Sequence, residues 1–244
     1  GGGAERNAVP FYDFPSWRIT SHRVLAQPLR TSSLRSLGAF ANVFAIESFL
    51  DELAEERGED PVAFRLRHLH DPRARTVLEA AAARAGWSSW EKRDGVGHGV
   101  GCARYKNSGA YCAVVAEVEG DSEIRVKRLV IAVDIGEVIN PDGVANQIEG
   151  GAIQATSWTL KEAVRFDRNR VTSDSWENYP ILRFSEVPAV EVEIVSRPDE
   201  PPLGAGEAAL GPTAAAIANA VSDALGVRIR DLPMTRDRII AAMA

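Results

Sequence analysis

Gly95-Val96-Gly97-His98-Gly99-Val100-Gly101, followed by the runs Ala110 to Glu119 and Ile124 to Asp134, marks the point where the chain turns from helix-forming to strand-forming. Both runs are apolar and rich in β-branched residues, and Gly120-Asp121-Ser122 between them has turn chemistry. They read as an antiparallel hairpin. The glycines superficially suggest a dinucleotide-binding loop, which needs a strand before it and a helix after it. Here a strand follows, so the nucleotide reading fails.

Upstream of that point the pattern is helical. Phe40, Val43, Phe44, Ile46, Phe49, Leu50 and Leu53 recur at spacings of three and four on an amphipathic helix that stops at Gly58. Asp60-Pro61 and Asp71-Pro72 each pair a capping residue with a first-turn proline, and the second of these helices ends at Gly86. Three helices therefore fill residues 39 to 86. Before them, Pro10, Pro15 and Pro28 bound short extended pieces, Trp17 to Thr20 and His22 to Ala26, which read as a loop and one or two strands.

Downstream, Asn140-Pro141-Asp142-Gly143 opens a helix-like stretch that ends near Glu162 and contains Gln147, Glu149, Gly150-Gly151 and Gln154. Two adjacent glycines in a helix cost on the order of 1 kcal/mol each relative to alanine, so they imply close approach of another backbone or a bulky ligand. Residues 163 to 200 return to strand character, with clean alternation from Val190 to Val195. A short terminal helix is expected from Thr235 to Ala244. Helices first and strands after indicate an α+β fold, a helical segment followed by an antiparallel or mixed sheet with packed helices. Two parts are expected, residues 1 to 94 and residues 95 to 244.

With 244 residues and 45% hydrophobic content the chain can bury a substantial core. Its net charge of -6 gives no reason to expect nucleic acid or an anionic membrane as partner. No apolar run reaches the roughly 18 residues of a membrane span. Cys102 and Cys112 are too few for a disulfide framework, and neither they nor His22, His68, His70 and His98 have ligand spacing. His68 and His70 read as surface residues. The opening Gly1-Gly2-Gly3 suggests a processed product, a cloned piece or a split subunit.

The chemistry centres on Pro202-Leu203-Gly204-Ala205-Gly206-Glu207-Ala208-Ala209-Leu210-Gly211-Pro212. Three glycines let this turn bend tightly, and Pro212 suits the first position of a helix that runs to Leu225 and closes at Gly226. Glu207 sits in an apolar setting just before that helix. A poorly hydrated carboxylate there can serve as a general base, or it can simply complement the helix dipole.

Gly206-Glu207-Ala208-Ala209 with Gly211-Pro212, the Ala216 to Ala220 helix and Gly226 to Arg230 resemble the C-terminal end of the large subunit of molybdenum hydroxylases, the xanthine dehydrogenase and aldehyde oxidase family. Leu34 to Gly38 with Asn42, and Ala132 to Gly136, Asn140-Pro141, Gln147 to Gly151 and Gln154 extend the likeness over nearly the whole chain. Ser157 to Leu160 and Tyr179 to Phe184 are most similar to the isoquinoline 1-oxidoreductase and nicotinate dehydrogenase branch. The resemblance implies the fold of that family's molybdopterin-binding domain, and hydroxylation of an N-heteroaromatic ring or an aldehyde with oxygen taken from water. It implies Glu207 as catalytic base and Arg35 as a catalytic group that orients substrate or stabilises negative charge. Gln147, Gly150, Gly151, Gln154 and Gly206 are implied as cofactor-binding, and Leu37 as a wall of the substrate pocket. The cofactor implied is molybdopterin with molybdenum, as the cytosine dinucleotide, with no protein ligand to the metal. An iron-sulfur subunit is implied as electron partner. Upstream His-Gly-Gly and Gly-Gln-Gly loops of the family are absent from this sequence, so the likeness is to the C-terminal third of the catalytic subunit. The chain is accordingly expected to share its site with the upstream part of that subunit and to be inactive alone; a non-catalytic assembly domain is the alternative.

Overall fold

Glycine stands at every second position from 97 to 101 of strand β1 (Val96–Arg104), so all three glycines face one side of the strand. Helix α5 (Leu210–Leu225) turns Pro212, Ala216, Ala220 and Ala224, spaced four apart on one face, toward that side. The two backbones touch. A methyl group on Gly99 would lie 2.1 Å from the Ala220 amide nitrogen and 2.3 Å from the Ala216 carbonyl oxygen. One on Gly97 would lie 1.9 Å from the Ala220 carbonyl oxygen, and one on Gly101 2.4 Å from that of Pro212. The glycine run is thus a strand whose missing side chains admit a helix.

The computed structural model describes residues 3–22, 24–29, 31, 33–120 and 123–243. Its sheet has the order β1-β2-β3-β4, with β2 spanning Tyr111–Gly120, β3 Ile124–Asp134 and β4 Ala189–Ile194. β1 pairs with β2 and β2 with β3 antiparallel, whereas β3 and β4 are parallel. The parallel pair is joined through α4 (Pro141–Leu160), as a parallel connection requires a crossover. Alternate residues of β2 serve two cores. Cys112, Val114, Ala116 and Val118 pack with α4 and α5, while Tyr111, Ala113 and Val115 pack with α1 (Ala39–Glu56), α2 (Pro61–Arg67) and α3 (Pro72–Ala85). Burial on both faces explains why β2 reads as a continuous apolar run.

Polar groups stitch the layers together. Glu47 of α1, fully buried, accepts from Arg65 Nε at 2.9 Å, the Tyr12 hydroxyl at 2.8 Å and the Cys102 amide at 3.0 Å. Burial works against charge on Arg65, but Glu47 and Asp51 outweigh it and keep the guanidinium protonated. Along the outer edge of β1 the His98 amide donates to Asp223 at 2.9 Å, and the Val100 carbonyl accepts from Asn219 Nδ2 at 2.9 Å. Asp134, at the end of β3, accepts from the Gly136 amide at 2.9 Å, from Arg73 Nε at 2.9 Å and from Arg197 Nε at 3.2 Å. Burial raises this carboxyl, and those donors more than offset it, so it lies below the usual range.

The hairpin, the three helices of residues 39 to 86, α4 and the terminal helix α6 (Arg236–Met243) match the expectations from sequence. Asp121 and Ser122 of the hairpin turn lie outside the described residues, as do Arg23 and Ala244. Other expectations are corrected. Among the described residues of 17 to 26 there is no strand; the side chains are exposed, and extended backbone without a partner forms no ladder. Only Ala189–Ile194 of the stretch 163 to 200 is a strand. The remainder runs as loop on the surface, held by Tyr179 to Glu162 at 2.8 Å and Leu182 N to Ser157 Oγ at 2.9 Å. α5 begins at Leu210 rather than Pro212, because the turn before it already has helical backbone angles at Ala209. His68 is half-buried between Phe14 and Phe64, with ring centroids 5.0 Å away in each case.

His98 stacks between Trp87 and Trp90, at 5.0 and 4.1 Å. Burial lowers its pKa to about 4, with Arg128 and Arg93 acting in the same direction and Asp223 against them. The unfolded chain therefore takes up this proton first, and stability is lost as pH falls from the ordinary histidine value of 6.5 toward 4. His98→Phe, which keeps a ring in the sandwich, should shrink the difference between urea midpoints at pH 7 and pH 4.5. Gly99→Ala is expected to destabilise by about 3 kcal/mol or to prevent folding, since its methyl meets backbone rather than a yielding side chain; thermal denaturation reads this directly.

Candidate functional site

The loop that precedes α1 makes an unusual turn. Ser36 (φ 78) and Leu37 (φ 52) both adopt left-handed backbone, a conformation that side chains disfavour and that persists only when surrounding contacts enforce it. Those contacts are present. The Gly38 amide donates to the Gly3 carbonyl at 3.0 Å, and Asn42 Nδ2 donates to the carbonyls of Ala4 and Arg6 at 2.8 and 2.9 Å. The turn sends the Arg35 side chain and the Ser36 amide toward the entrance of α5.

There Glu207 is gripped from both sides. Its Oε1 accepts from the Ser36 amide at 2.7 Å and its Oε2 from the Tyr105 hydroxyl at 2.5 Å. Arg35 Nε donates to the Gly206 carbonyl at 2.5 Å, its Nη1 to Gln154 Oε1 at 3.3 Å, and its Nη2 to the Gln147 carbonyl and Oε1 at 3.0 and 3.1 Å. Arg35 thereby ties the Glu207 turn to α4. Burial lowers its pKa, against the attraction of Glu207.

Glu207 does not show the raised pKa of a carboxylate in an apolar turn. Burial pushes it up, but Tyr105, the Ser36 amide, Lys106 and Arg6 outweigh burial and hold it below the usual glutamate value. It is ionised at neutral pH and ready to accept a proton.

Arg35, Gln147, Gln154, Gly206 and Glu207, quoted from distant stretches of sequence, come together at this one place. Gly151 lies beneath them, close to Leu210, Ala209 and Arg35, where a side chain would be crowded. Gly150 and Gly204 are exposed with open space where a side chain would project. Leu37 rests against Gly3, next in the chain to Ser36.

The sequence reading missed Tyr105, Arg6, Asn7 and Lys106. Tyr105-Lys106-Asn107 forms a short turn between β1 and β2, with left-handed backbone at Lys106 and Asn107. Asn7, itself left-handed, pins that turn through the Arg104 carbonyl (2.8 Å), the Lys106 amide (2.8 Å) and Asn107 Oδ1 (2.9 Å). Once β1 is recognised as a strand, Lys106-Asn107-Ser108-Gly109 is the evident link to β2, and its neighbours become candidates.

The arrangement offers donors and open backbone to a polar ligand. The uncovered backbone at Gly150 allows close approach, and with their oxygens engaged by Arg35 the amide NH2 groups of Gln147 and Gln154 are left as donors. Among the described residues no group of His, Cys, Asp and Glu is arranged to hold a metal ion, and no helix is long and apolar enough to cross a membrane.

Comparison with known proteins identifies the family. Two family profiles, each described as a molybdopterin cofactor-binding domain, match residues 51–188 and 4–69. A nicotinate dehydrogenase subunit of Pseudomonas putida is 43% identical over 256 residues, a match that covers 98% of this chain and 22% of that protein. The beta subunit of isoquinoline 1-oxidoreductase from Brevundimonas diminuta is 35% identical over 91% of this chain and 29% of that protein. The chain thus spans between a fifth and a third of the length of these relatives. The crystal structure of quinoline 2-oxidoreductase from Pseudomonas putida 86 shares the fold, with a TM-score of 0.76 at 15% identity over 86% of this chain and 52% of that one. With a profile matching more than half of its residues, the chain belongs to the molybdopterin cofactor-binding domain family.

Proposed function

We propose that this chain forms part of the catalytic subunit of a molybdenum hydroxylase that oxidises N-heteroaromatic compounds or aldehydes with water-derived oxygen, and that it is inactive without the rest of that subunit. The observation that carries the reading is the carboxylate of Glu207, ionised and fixed by two donors beside the Arg35, Gln147 and Gln154 cluster. Nicotinate and isoquinoline, named in the relatives, support an N-heteroaromatic substrate.

Bound here as the cytosine dinucleotide, the molybdenum cofactor would supply oxygen transfer and accept two electrons, which an iron-sulfur subunit would carry away. Gln147 and Gln154 would offer it amide donors, and the open backbone at Gly150 would permit close approach. Two of the roughly four lone-pair positions on the Glu207 carboxylate are occupied by Ser36 and Tyr105, and the others would be where it accepts a proton as general base. Arg35 restrains the Gly206 carbonyl, and through it the position of Glu207. Residues 164 to 187 expose Val164, Trp176, Ile181 and Phe184, which supports a companion that covers them.

Molybdenum and pterin content, with turnover of N-heterocycles and aldehydes, should appear when the chain is co-expressed with the upstream region and not with the chain alone. Near-stoichiometric metal on the isolated chain would refute the shared site, and folded protein without cofactor in any combination would indicate an assembly domain. In the assembled enzyme Glu207→Gln should lower kcat by about 100-fold to 10,000-fold while cofactor content is unchanged; full activity in that variant would reject Glu207 as base.

A further inference from the structure

Glu207 has a carefully built neighbour whose contacts go beyond packing. Tyr105 is 7% exposed, and its hydroxyl donates to Glu207 Oε2 at 2.5 Å while accepting from Arg6 Nη1 at 2.8 Å. The Arg6 guanidinium also lies 5.7 Å from the Tyr105 ring centroid, and the Lys106 ammonium lies 5.2 Å from it. A phenol that accepts a hydrogen bond from a cation polarises toward its own acceptor, which strengthens the bond it donates.

The supports of this chain of contacts are themselves strained. Asn7, Lys106 and Asn107 all hold left-handed backbone, at φ 59, 57 and 54, and they bond to one another across almost 100 residues of sequence. Ser36, which grips the other oxygen of Glu207, is left-handed as well. Four disfavoured conformations around one carboxylate, each fixed by hydrogen bonds from another segment, mark a site where position matters more than stability.

We propose that Tyr105, held by Arg6, is a positioning residue that locks the Glu207 carboxylate in a single orientation. The inference rests on the reading of Glu207 as the base, and it assigns the turn between β1 and β2 a part in the reaction. Charged and titratable groups reach Glu207 from each segment packed around it: Tyr105 and Lys106 from that turn, Arg6 from the N-terminal segment and Arg35 from the loop before α1. Burial raises the Tyr105 phenol and Glu207 raises it further, so Tyr105 stays protonated and remains a donor throughout the working pH range. Removal of its hydroxyl takes away the largest of the contributions that offset burial at Glu207.

The test has two readouts. In the chain labelled with carboxyl-13C glutamate, the Glu207 signal, assigned by its loss in Glu207→Gln, should titrate below the ordinary value of 4.5. In Tyr105→Phe its midpoint should rise by about one unit, the scale of one hydrogen bond to a charged group. In the assembled enzyme the acid limb of the kcat/KM profile should rise in step, with kcat about tenfold lower and KM nearly unchanged. Arg6→Gln, which leaves the buried ring in place, should move both readouts in the same direction by less. An unshifted Glu207 titration in both variants would overturn the proposal, as would a change confined to KM. If Glu207→Gln retained turnover while Tyr105→Phe still shifted the titration, the base would be rejected and the clamp upheld.

Discussion

Everything in this fold defers to the contact between a strand without side chains and a helix of alanines. Because Gly97, Gly99 and Gly101 bring β1 against the Pro212, Ala216, Ala220 and Ala224 face of α5, the helix cannot slide or roll without driving backbone into backbone. The entrance of α5 is thereby fixed against the sheet, and the Glu207 turn leads directly into it. α1 confirms that placement from the opposite side, where Gly211 passes Val43 Cβ and the Ala39 carbonyl at distances that exclude a side chain. Rigid backbone contact thus does what a flexible side chain could not: it transmits the geometry of the sheet to a single carboxylate.

The site built on this scaffold is assembled from five separate segments: the N-terminal stretch, the loop before α1, the turn after β1, α4 and the turn before α5. Arg35 and Tyr105 divide the work between them. Arg35 fastens the Glu207 turn to α4 through carbonyl and amide oxygens, whereas Tyr105 fastens the carboxylate itself. The left-handed residues sit in the linkers between these anchors, where the folding free energy of the rest of the domain can offset their local cost.

Much of this organisation was legible in the sequence because it follows from local rules. The helix starts at Asp60-Pro61, Asp71-Pro72 and Asn140-Pro141 carry their own capping chemistry, and each side chain does accept from the first turn of its helix. The hairpin of β2 and β3 was evident from two apolar, β-branched runs around a turn, and Arg35, Gln147, Gln154 and Gly206 were singled out with Glu207 by their order in the resemblance. What escaped was non-local. β1 was not read as a strand because alternate glycines carry no hydrophobic signal, and their purpose appears only with α5 in place. Tyr105 and Arg6 are almost 100 residues apart and act on Glu207, a further 100 along, so no spacing rule connects them. The lowered pKa of Glu207 likewise depends on donors that the turn itself does not contain.

A sheet with β1 at its border ought to present a row of free backbone groups to any neighbouring strand. This one does so only in part. The amides of His98 and Cys102 are already committed to the carboxylates of Asp223 and Glu47, and the carbonyl of Val100 to the amide of Asn219. Side chains from two helices take up these three backbone groups, so an incoming strand finds part of the ladder it needs already engaged. Protection against intermolecular β-association is therefore written into the same helix that leads from the Glu207 turn, and a substitution at Asn219 or Asp223 would expose a template for aggregation along with any loss of stability.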